Sequence, residues 1–114
     1  MNRRITFKNM EHSENIENFA LKKLEKINKL IDSDRDPKII DMVITGAASH
    51  AHNQIELNVQ FANIKLFSHH EGPDIFKEID IVIDRMLEEI RRAKDKLKDK
   101  HKTEDKFKSA WFFL

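Results

Sequence analysis

The chain has 114 residues, of which 39% are hydrophobic and 36% are charged, so it can bury one core beneath an unusually ionic surface. It contains no cysteine, which excludes disulfides, thiol nucleophiles and cysteine-ligated zinc and fits a reducing cytoplasm. There is no apolar run long enough to cross a bilayer and no signal-peptide-like N-terminus, so we expect a cytoplasmic protein without a membrane partner.

The first half of the chain predicts a strand, a helix and a second strand. Residues 3–8 alternate polar and apolar side chains, which is typical of a short strand. Ser13 can cap a helix over residues 14–31, because apolar residues recur there at helical spacing. Pro37 ends this region, and the β-branched residues of 38–45 predict a buried strand.

The second half predicts a hairpin followed by a long helix. Residues 54–61 alternate strictly between apolar and polar side chains, and residues 64–68 resume the alternation after a two-residue turn. After a glycine-proline break, an apolar stripe at helical spacing predicts a helix that Asp74 can cap and that ends at about Lys100.

The resulting order, β-α-β-β-β-α, predicts an α+β fold. A right-handed crossover through the first helix makes strands one and two parallel, and short links make the other pairs antiparallel. Each helix has one apolar stripe, so both should cover the same face of a four-stranded mixed sheet. This two-layer sandwich is like the double-stranded-RNA-binding domain in topology. We assign residues 1–102 to the domain and residues 103–114 to a charged and then aromatic tail.

Charge is unevenly distributed, although the formal net charge is only +1. Residues 1–9 carry +3, residues 10–84 carry −6 and residues 85–108 carry +4. Such patches influence the choice of partner more than the total charge does.

The cations of the last helix are the main functional signal. At about 100° per residue they form two rows, one along each edge of the apolar stripe. The first row contains Arg85, Arg92, Lys96 and Lys100, and the second contains Arg91, Lys94, Lys98 and Lys102. Rows of this kind suit the phosphates of folded RNA, although a solvated face with ion pairs such as Glu88–Arg92 is the simpler alternative. The first helix adds further cations that favour RNA: Lys22, Lys23, Lys26 and Lys29.

The polar face of the predicted sheet combines cations and amides with one aromatic ring. Its residues are Arg4, Thr6, Lys8, Asn58, Gln60, Lys65 and Phe67. An aromatic ring beside cations can stack a base, but one ring is fewer than sheet-type RNA binders use, and a solvated face is the plainer interpretation.

Four of the six histidines are close in sequence: His50, His52, His69 and His70. A hairpin would bring His52 within a few residues of His70, and imidazole suits zinc, copper or nickel. Histidines at strand ends are more often ordinary loop residues, so we expect neither a metal nor another cofactor. The sequence has no glycine-rich phosphate loop and no nucleophile motif, and we do not expect an enzyme.

The aromatic end of the chain allows several interpretations. Trp111, Phe112 and Phe113 can fold back over the domain, stay disordered, or anchor a partner or a second copy of the chain.

Both predicted helices resemble those of the short ribosome hibernation promoting factors, also called the ribosome-associated inhibitor or sigma-modulation family. Residues 71–98 begin EGPDIFKEIDIVID, which has the family's acidic-glycine turn, its Asp and its two Ile-Asp pairs, and end rich in lysine. Residues 10–27 resemble the family's first helix, with Lys23 and Lys26 on its usual lysines. The resemblance covers about residues 4–100, although the turn between strands three and four lacks the family's glycines.

The resemblance implies a domain that occupies the tRNA and mRNA channel of the small ribosomal subunit, contacts 16S rRNA and keeps idle ribosomes inactive in stationary phase or stress. It places basic residues at Lys23, Lys26, Arg85, Arg92 and Lys96, and the last three belong to the first row. We therefore expect the small subunit and whole ribosome as partners, no DNA, and a monomer off the ribosome. Two alternatives stay open: a double-stranded-RNA-binding module, and a protein-interaction module that uses the aromatic tail.

Overall fold

The computed structural model describes residues 2–47 and 52–112, and the side chains of residues 3–47 and 52–97. Its elements are β1 (Asn2–Lys8), α1 (Glu14–Ile31), β2 (Ile39–Thr45), β3 (Asn53–Phe61), β4 (Ile64–Gly72) and α2 (Ile75–Phe112). The predicted β-α-β-β-β-α order and α+β class are confirmed. In the part of the chain that is described, neither helix is long and apolar enough to cross a membrane.

The four strands form one mixed sheet in the order β1-β2-β3-β4. The β1–β2 pair is parallel and the other two pairs are antiparallel, as predicted from the crossover through α1. The register aligns rows of residues across the sheet, and one such row contains Arg4, Asp41, Asn58 and Phe67. Since side chains alternate along each strand, these four belong to the same face.

The core lies between the sheet and the two helices. Ile55, Leu57 and Val59 of β3 are buried, whereas Gln54 and Asn58, at alternate positions of the strand, are exposed, so one face of the sheet is covered and the other is open. The largest fully buried side chains are Phe61, Leu24, Ile27, Ile31, Ile40, Met42, Ile44, Ile55, Leu57, Ile79, Ile83 and Met86. Both helices therefore pack on the same face, as their single apolar stripes predicted.

The predicted helix caps are present at both N-termini. The Ser13 hydroxyl accepts a hydrogen bond from the Ile16 N–H at 3.3 Å. The Asp74 carboxylate accepts from the N–H groups of Phe76 and Lys77 at 3.1 and 3.4 Å. These bonds satisfy first-turn N–H groups that have no partner inside the helix, and so fix where each helix begins.

Two elements, β4 and α2, extend well beyond the predicted bounds. The strand β4 continues to Gly72, because its last residues pair with the start of β3. Its core-facing positions after Leu66 are Ser68, His70 and Gly72, which have no large apolar side chain, so the hydrophobic alternation ends before the strand does. The helix α2 continues to Phe112 rather than ending near Lys100.

The β3–β4 turn is built without glycine. Ala62 and Asn63 have φ values of 47° and 64°, both in the left-handed region, as in the two-residue turns that match the twist of a hairpin. Asn tolerates this conformation, whereas Ala has a steric cost there.

Candidate RNA-binding surface

One edge of α2 packs against α1. The rings of Phe19 and Phe76 meet edge to face, with centroids 5.0 Å apart, and the Lys23 ammonium lies 3.1 Å from the Asp80 carboxylate. These contacts occur in the same order along both helices, so the helices run parallel.

The opposite edge of α2 packs against β4, the edge strand of the sheet. The Ser68 hydroxyl donates to the carbonyl oxygen of Val82 at 3.2 Å. The Arg85 guanidinium donates to the carbonyl oxygen of His69, also at 3.2 Å. The two predicted rows of cations on α2 therefore lie on different sides of the molecule, one beside β4 and one beside α1.

The row beside β4 consists of Arg85, Arg92 and Lys96, and we call it the β4-edge row. All three side chains are exposed. Arg92 pairs with Glu88 at 3.9 Å, but both side chains are more than two-thirds exposed, so water screens this pair and it holds the guanidinium weakly. Half-buried Glu89 falls on the same edge by helical spacing, so the row also contains one acid. Arg85 uses one donor on His69, but its exposed guanidinium keeps further N–H donors, as do Arg92 and Lys96, for contact with an anionic partner.

The row beside α1 consists of Arg91, Lys94 and Lys98, and its members differ. The Lys94 ammonium donates to the carbonyl oxygen of Leu30 at 2.6 Å and lies 2.9 Å from the Asp34 carboxylate. Arg91 is exposed. The side chain of Lys98 is outside the described residues. Lys94 thus has a structural partner already, which helical spacing alone did not reveal.

The lysines of α1 are also unequal. Lys22, Lys26 and Lys29 are exposed, whereas Lys23 is half-buried. Besides its pair with Asp80, the Lys23 ammonium lies 5.5 Å from the centre of the Phe19 ring, within the range of a cation–π contact. Of the two α1 lysines singled out by the resemblance, Lys26 is therefore the more available to a partner.

The two N-terminal arginines are paired within the protein. Arg3 donates to Glu25 at 2.8 Å, and Arg4 contacts both carboxylate oxygens of Asp41 at 3.3 and 3.4 Å. The Asp41 carboxylate raises the pKa of Arg4 by hydrogen bonding and charge. A hydrogen bond from Asn28 lowers the pKa of Glu25. Arg3 lowers this pKa further, whereas burial raises it. Two of the three cations of this segment thus lie beside acids, whereas the third, Lys8, is exposed.

A buried carboxylate at the start of α2 was not predicted from the sequence. Glu78 is 2% exposed, and neither of its carboxylate oxygens has a hydrogen-bond partner among the described residues. Burial raises the pKa of Glu78, the nearby Asp74 raises it further, and His52 opposes them. The carboxylate lies against Gly72, where an added Cβ would be 2.6 Å from Oε1. A larger residue at position 72 would therefore displace the Glu78 carboxylate from its present position.

The histidines do not converge. His69 lies on the open face of the sheet and His70 on the opposite face, because neighbouring residues of a strand point to opposite sides. His52 precedes β3, and His50 is outside the described residues. Within the described part of the chain, there is no group of three or more histidine, aspartate or glutamate side chains that could hold a metal ion.

The structure describes only part of the backbone of the aromatic tail. Trp111 and Phe112 belong to the last turn of α2, and Phe113 is outside the described residues. The side chains of Trp111, Phe112 and Phe113 are all outside the described part of the chain, so their role as an anchor for a partner stays a prediction.

Known proteins share this sequence pattern and fold. Residues 4–98 match the family described as sigma 54 modulation protein / S30EA ribosomal protein. The N-terminal domain of Protein Y from Thermus thermophilus is similar in structure, with a TM-score of 0.67 and 20% identity over 81% of this chain and 98% of that one. A ribosomal subunit interface protein from Coxiella burnetii has a TM-score of 0.67 and 15% identity over 83% and 99%. Curated proteins give no match. Since the family match spans most of its length, the chain belongs to the sigma 54 modulation protein / S30EA ribosomal protein family.

Proposed function

We propose that the protein binds the small ribosomal subunit and inhibits translation on idle ribosomes in the cytoplasm. The observation that carries this proposal is the β4-edge row, which places three exposed cations on one helix. The description of the family to which the chain belongs includes a ribosomal protein. The similar Coxiella burnetii protein is described as a ribosomal subunit interface protein, which supports the same partner.

Electrostatics suggests how the protein would hold ribosomal RNA. Arg85 and Arg92 are seven residues apart and Lys96 follows four later, which places the three cations at intervals of about 10 and 6 Å along the helix axis. Each phosphate that such a cation neutralises releases counterions and so favours binding. Because the helix is packed on the sheet, the backbone positions of the three cations are fixed before the RNA arrives, and mainly their side chains must be ordered on binding.

We infer that inhibition works by occlusion. The folded domain would fill part of the tRNA and mRNA channel while the β4-edge row and the exposed α1 lysines contact 16S rRNA. This mode requires no catalytic group and no cofactor, and it ends when the protein dissociates. It fits a factor that stores ribosomes in stationary phase or stress.

Co-sedimentation with purified small subunits and whole ribosomes across a salt series tests the proposal. Wild-type protein should bind stoichiometrically, and its affinity should fall steadily with salt. The triple variant Arg85→Glu, Arg92→Glu, Lys96→Glu should lose binding and keep the wild-type circular dichroism spectrum, since all three side chains are exposed.

A matched control separates the row from net charge. The variant Lys8→Glu, Arg35→Glu, Lys77→Glu changes the net charge by the same amount at exposed positions outside the row, and it should still bind. Equal loss in both triple variants would assign the effect to total charge. Unchanged binding of the row variant would show that this row is not the interface, and equal affinity for a plain RNA duplex would favour a general double-stranded-RNA module.

A further inference from the structure

The open face of the sheet carries two stacked rings. Phe67 is 49% exposed, and its ring lies over that of His69 with centroids 5.4 Å apart and an angle of 29° between the planes. Both residues belong to β4 and are two positions apart, so their side chains stand on the same face. A single exposed phenyl ring is common on proteins, but a stacked pair leaves the outer face of each ring available to a further ring, on a face whose other residues are mostly polar.

Hydrogen-bonding groups surround this aromatic pair. Asn58 lies directly across from Phe67 on β3. Next to them is a shallow depression of about 220 Å³, whose lining on the open face includes Asp41, Asn58, Gln60 and Lys65. Amide, carboxylate and ammonium groups can donate to or accept from the edge of a base, and the ammonium can also contact a phosphate.

The aromatic pair is continuous with the β4-edge row. The carbonyl oxygen of His69 accepts the hydrogen bond from Arg85, so one strand residue connects the stacked rings with the first cation of the row. No strand lies beyond β4 in the described sheet, so this edge is not covered by another strand. A polynucleotide whose phosphates contact the row can therefore pass over the edge onto the open face.

We propose that Phe67 and His69 stack an unpaired base of the RNA whose phosphates the β4-edge row contacts. This inference rests on the proposed function and specifies its target: a single-stranded or bulged segment beside a structured one. The bases of a continuous duplex stack on each other and leave no face for a side chain, whereas unpaired bases stack on aromatic rings. The phosphate contacts fix position, and the stacked rings select unpaired RNA.

Two RNA probes test the proposal: a short oligouridylate, which is unstructured, and a blunt-ended duplex with the same number of phosphates. Phe67→Leu should weaken binding of the oligouridylate about tenfold, because stacking on an aromatic ring commonly contributes this much per base. Binding of the duplex should change less than twofold. The slope of affinity against salt should stay that of the wild type, since no phosphate contact is lost.

A second variant reports stacking directly. Phe67→Trp, made together with Trp111→Phe, keeps a ring at position 67 and leaves its indole as the only one in the chain. It should retain affinity for the oligouridylate, and its fluorescence should be quenched on binding. Phe76→Leu is the matched control, because it removes a phenyl ring of similar exposure, 43%, at the contact between the helices. This control should bind both probes as the wild type does.

Separate results would overturn the two proposals. The stacking proposal is refuted if Phe67→Leu binds the oligouridylate as the wild type does, or if it loses affinity equally for both probes. It is also refuted if the indole of the double variant Phe67→Trp, Trp111→Phe is not quenched on binding. Wild-type protein that fails to sediment with small subunits would refute the proposed function. If wild type and Phe67→Leu bind small subunits with the same affinity, ribosome binding stands and the stacking inference falls.

Discussion

The ammonium group of Lys94 on α2 lies 2.6 Å from the carbonyl oxygen of Leu30 in the last turn of α1. Carbonyl groups at the end of a helix have no partner inside it, so Lys94 caps α1 from the neighbouring helix. The same ammonium is 2.9 Å from the carboxylate of Asp34, just beyond α1. This one side chain therefore joins the end of α1 to the middle of α2.

We predict that Lys94→Met lowers the free energy of unfolding by roughly 2 kcal/mol, the usual size for a hydrogen bond to a charged group. Methionine keeps most of the aliphatic stem and removes the charge. Urea denaturation of the purified protein measures the change. Exposed Lys96→Met is the control and should shift stability by less than about 0.5 kcal/mol. A Lys94 variant with wild-type stability and weakened ribosome binding would instead place Lys94 in the RNA interface.

We predict that Arg92→Gln reduces the slope of log affinity for ribosomes against log salt by about 1, because one phosphate contact is lost. Its stability should stay unchanged, since its contact with Glu88 is long and exposed. The salt series described for co-sedimentation supplies the slope. An unchanged slope would remove Arg92 from the proposed interface.

We predict that Glu78→Gln raises stability at neutral pH by about 1 kcal/mol, because glutamine has nearly the same size and lacks the charge that is costly to bury without a partner. The pKa of Glu78 in the folded protein is raised above the ordinary value of 4.5. Between pH 4.5 and this raised pKa, the folded protein therefore binds more protons than the unfolded chain does. Wild-type stability therefore falls as pH rises through this window and stays lower above it.

Urea denaturation from below pH 4.5 to neutral pH tests the Glu78 prediction. The advantage of Glu78→Gln over wild type should grow across the window and then level off. The exposed Glu71→Gln serves as the control for removing a carboxylate near β4. Parallel pH profiles for wild type and Glu78→Gln would contradict the prediction.

We predict that Ala62→Gly raises the free energy of unfolding by about 1 kcal/mol, because glycine adopts the left-handed φ of 47° without the steric cost that Ala carries. The greater freedom of glycine in the unfolded chain limits the gain. Thermal denaturation would show the increase, and a lower melting temperature would mean that the turn is not strained.

Local patterns were enough to predict most elements. The bounds of α1 agree with the prediction because Ser13 marks the start and the apolar spacing continues to Ile31. The end of β4 was predicted too early, because backbone pairing extends the strand after its apolar residues end. Element type therefore follows from periodicity, whereas element length also depends on pairing between strands.

The surface was harder to predict, because it depends on which element packs beside each helix edge. Helical spacing indicates that Arg92 and Lys94 lie on different edges, but it does not show that one edge meets β4 and the other meets α1. The stacking of His69 on Phe67 likewise depends on the full extent of β4. The buried position of Glu78 depends on Gly72, whose missing side chain leaves room for the carboxylate.

The position of α2 as the last element of the fold bears on the timing of biosynthesis. This helix covers the apolar face of β3 and β4 and also holds the β4-edge row. A nascent chain in which α2 has not yet been made has an open core and lacks all three cations of that row. The partly made domain therefore has the exposed α1 lysines but not the β4-edge row, and the full proposed binding surface forms only when α2 packs on the sheet.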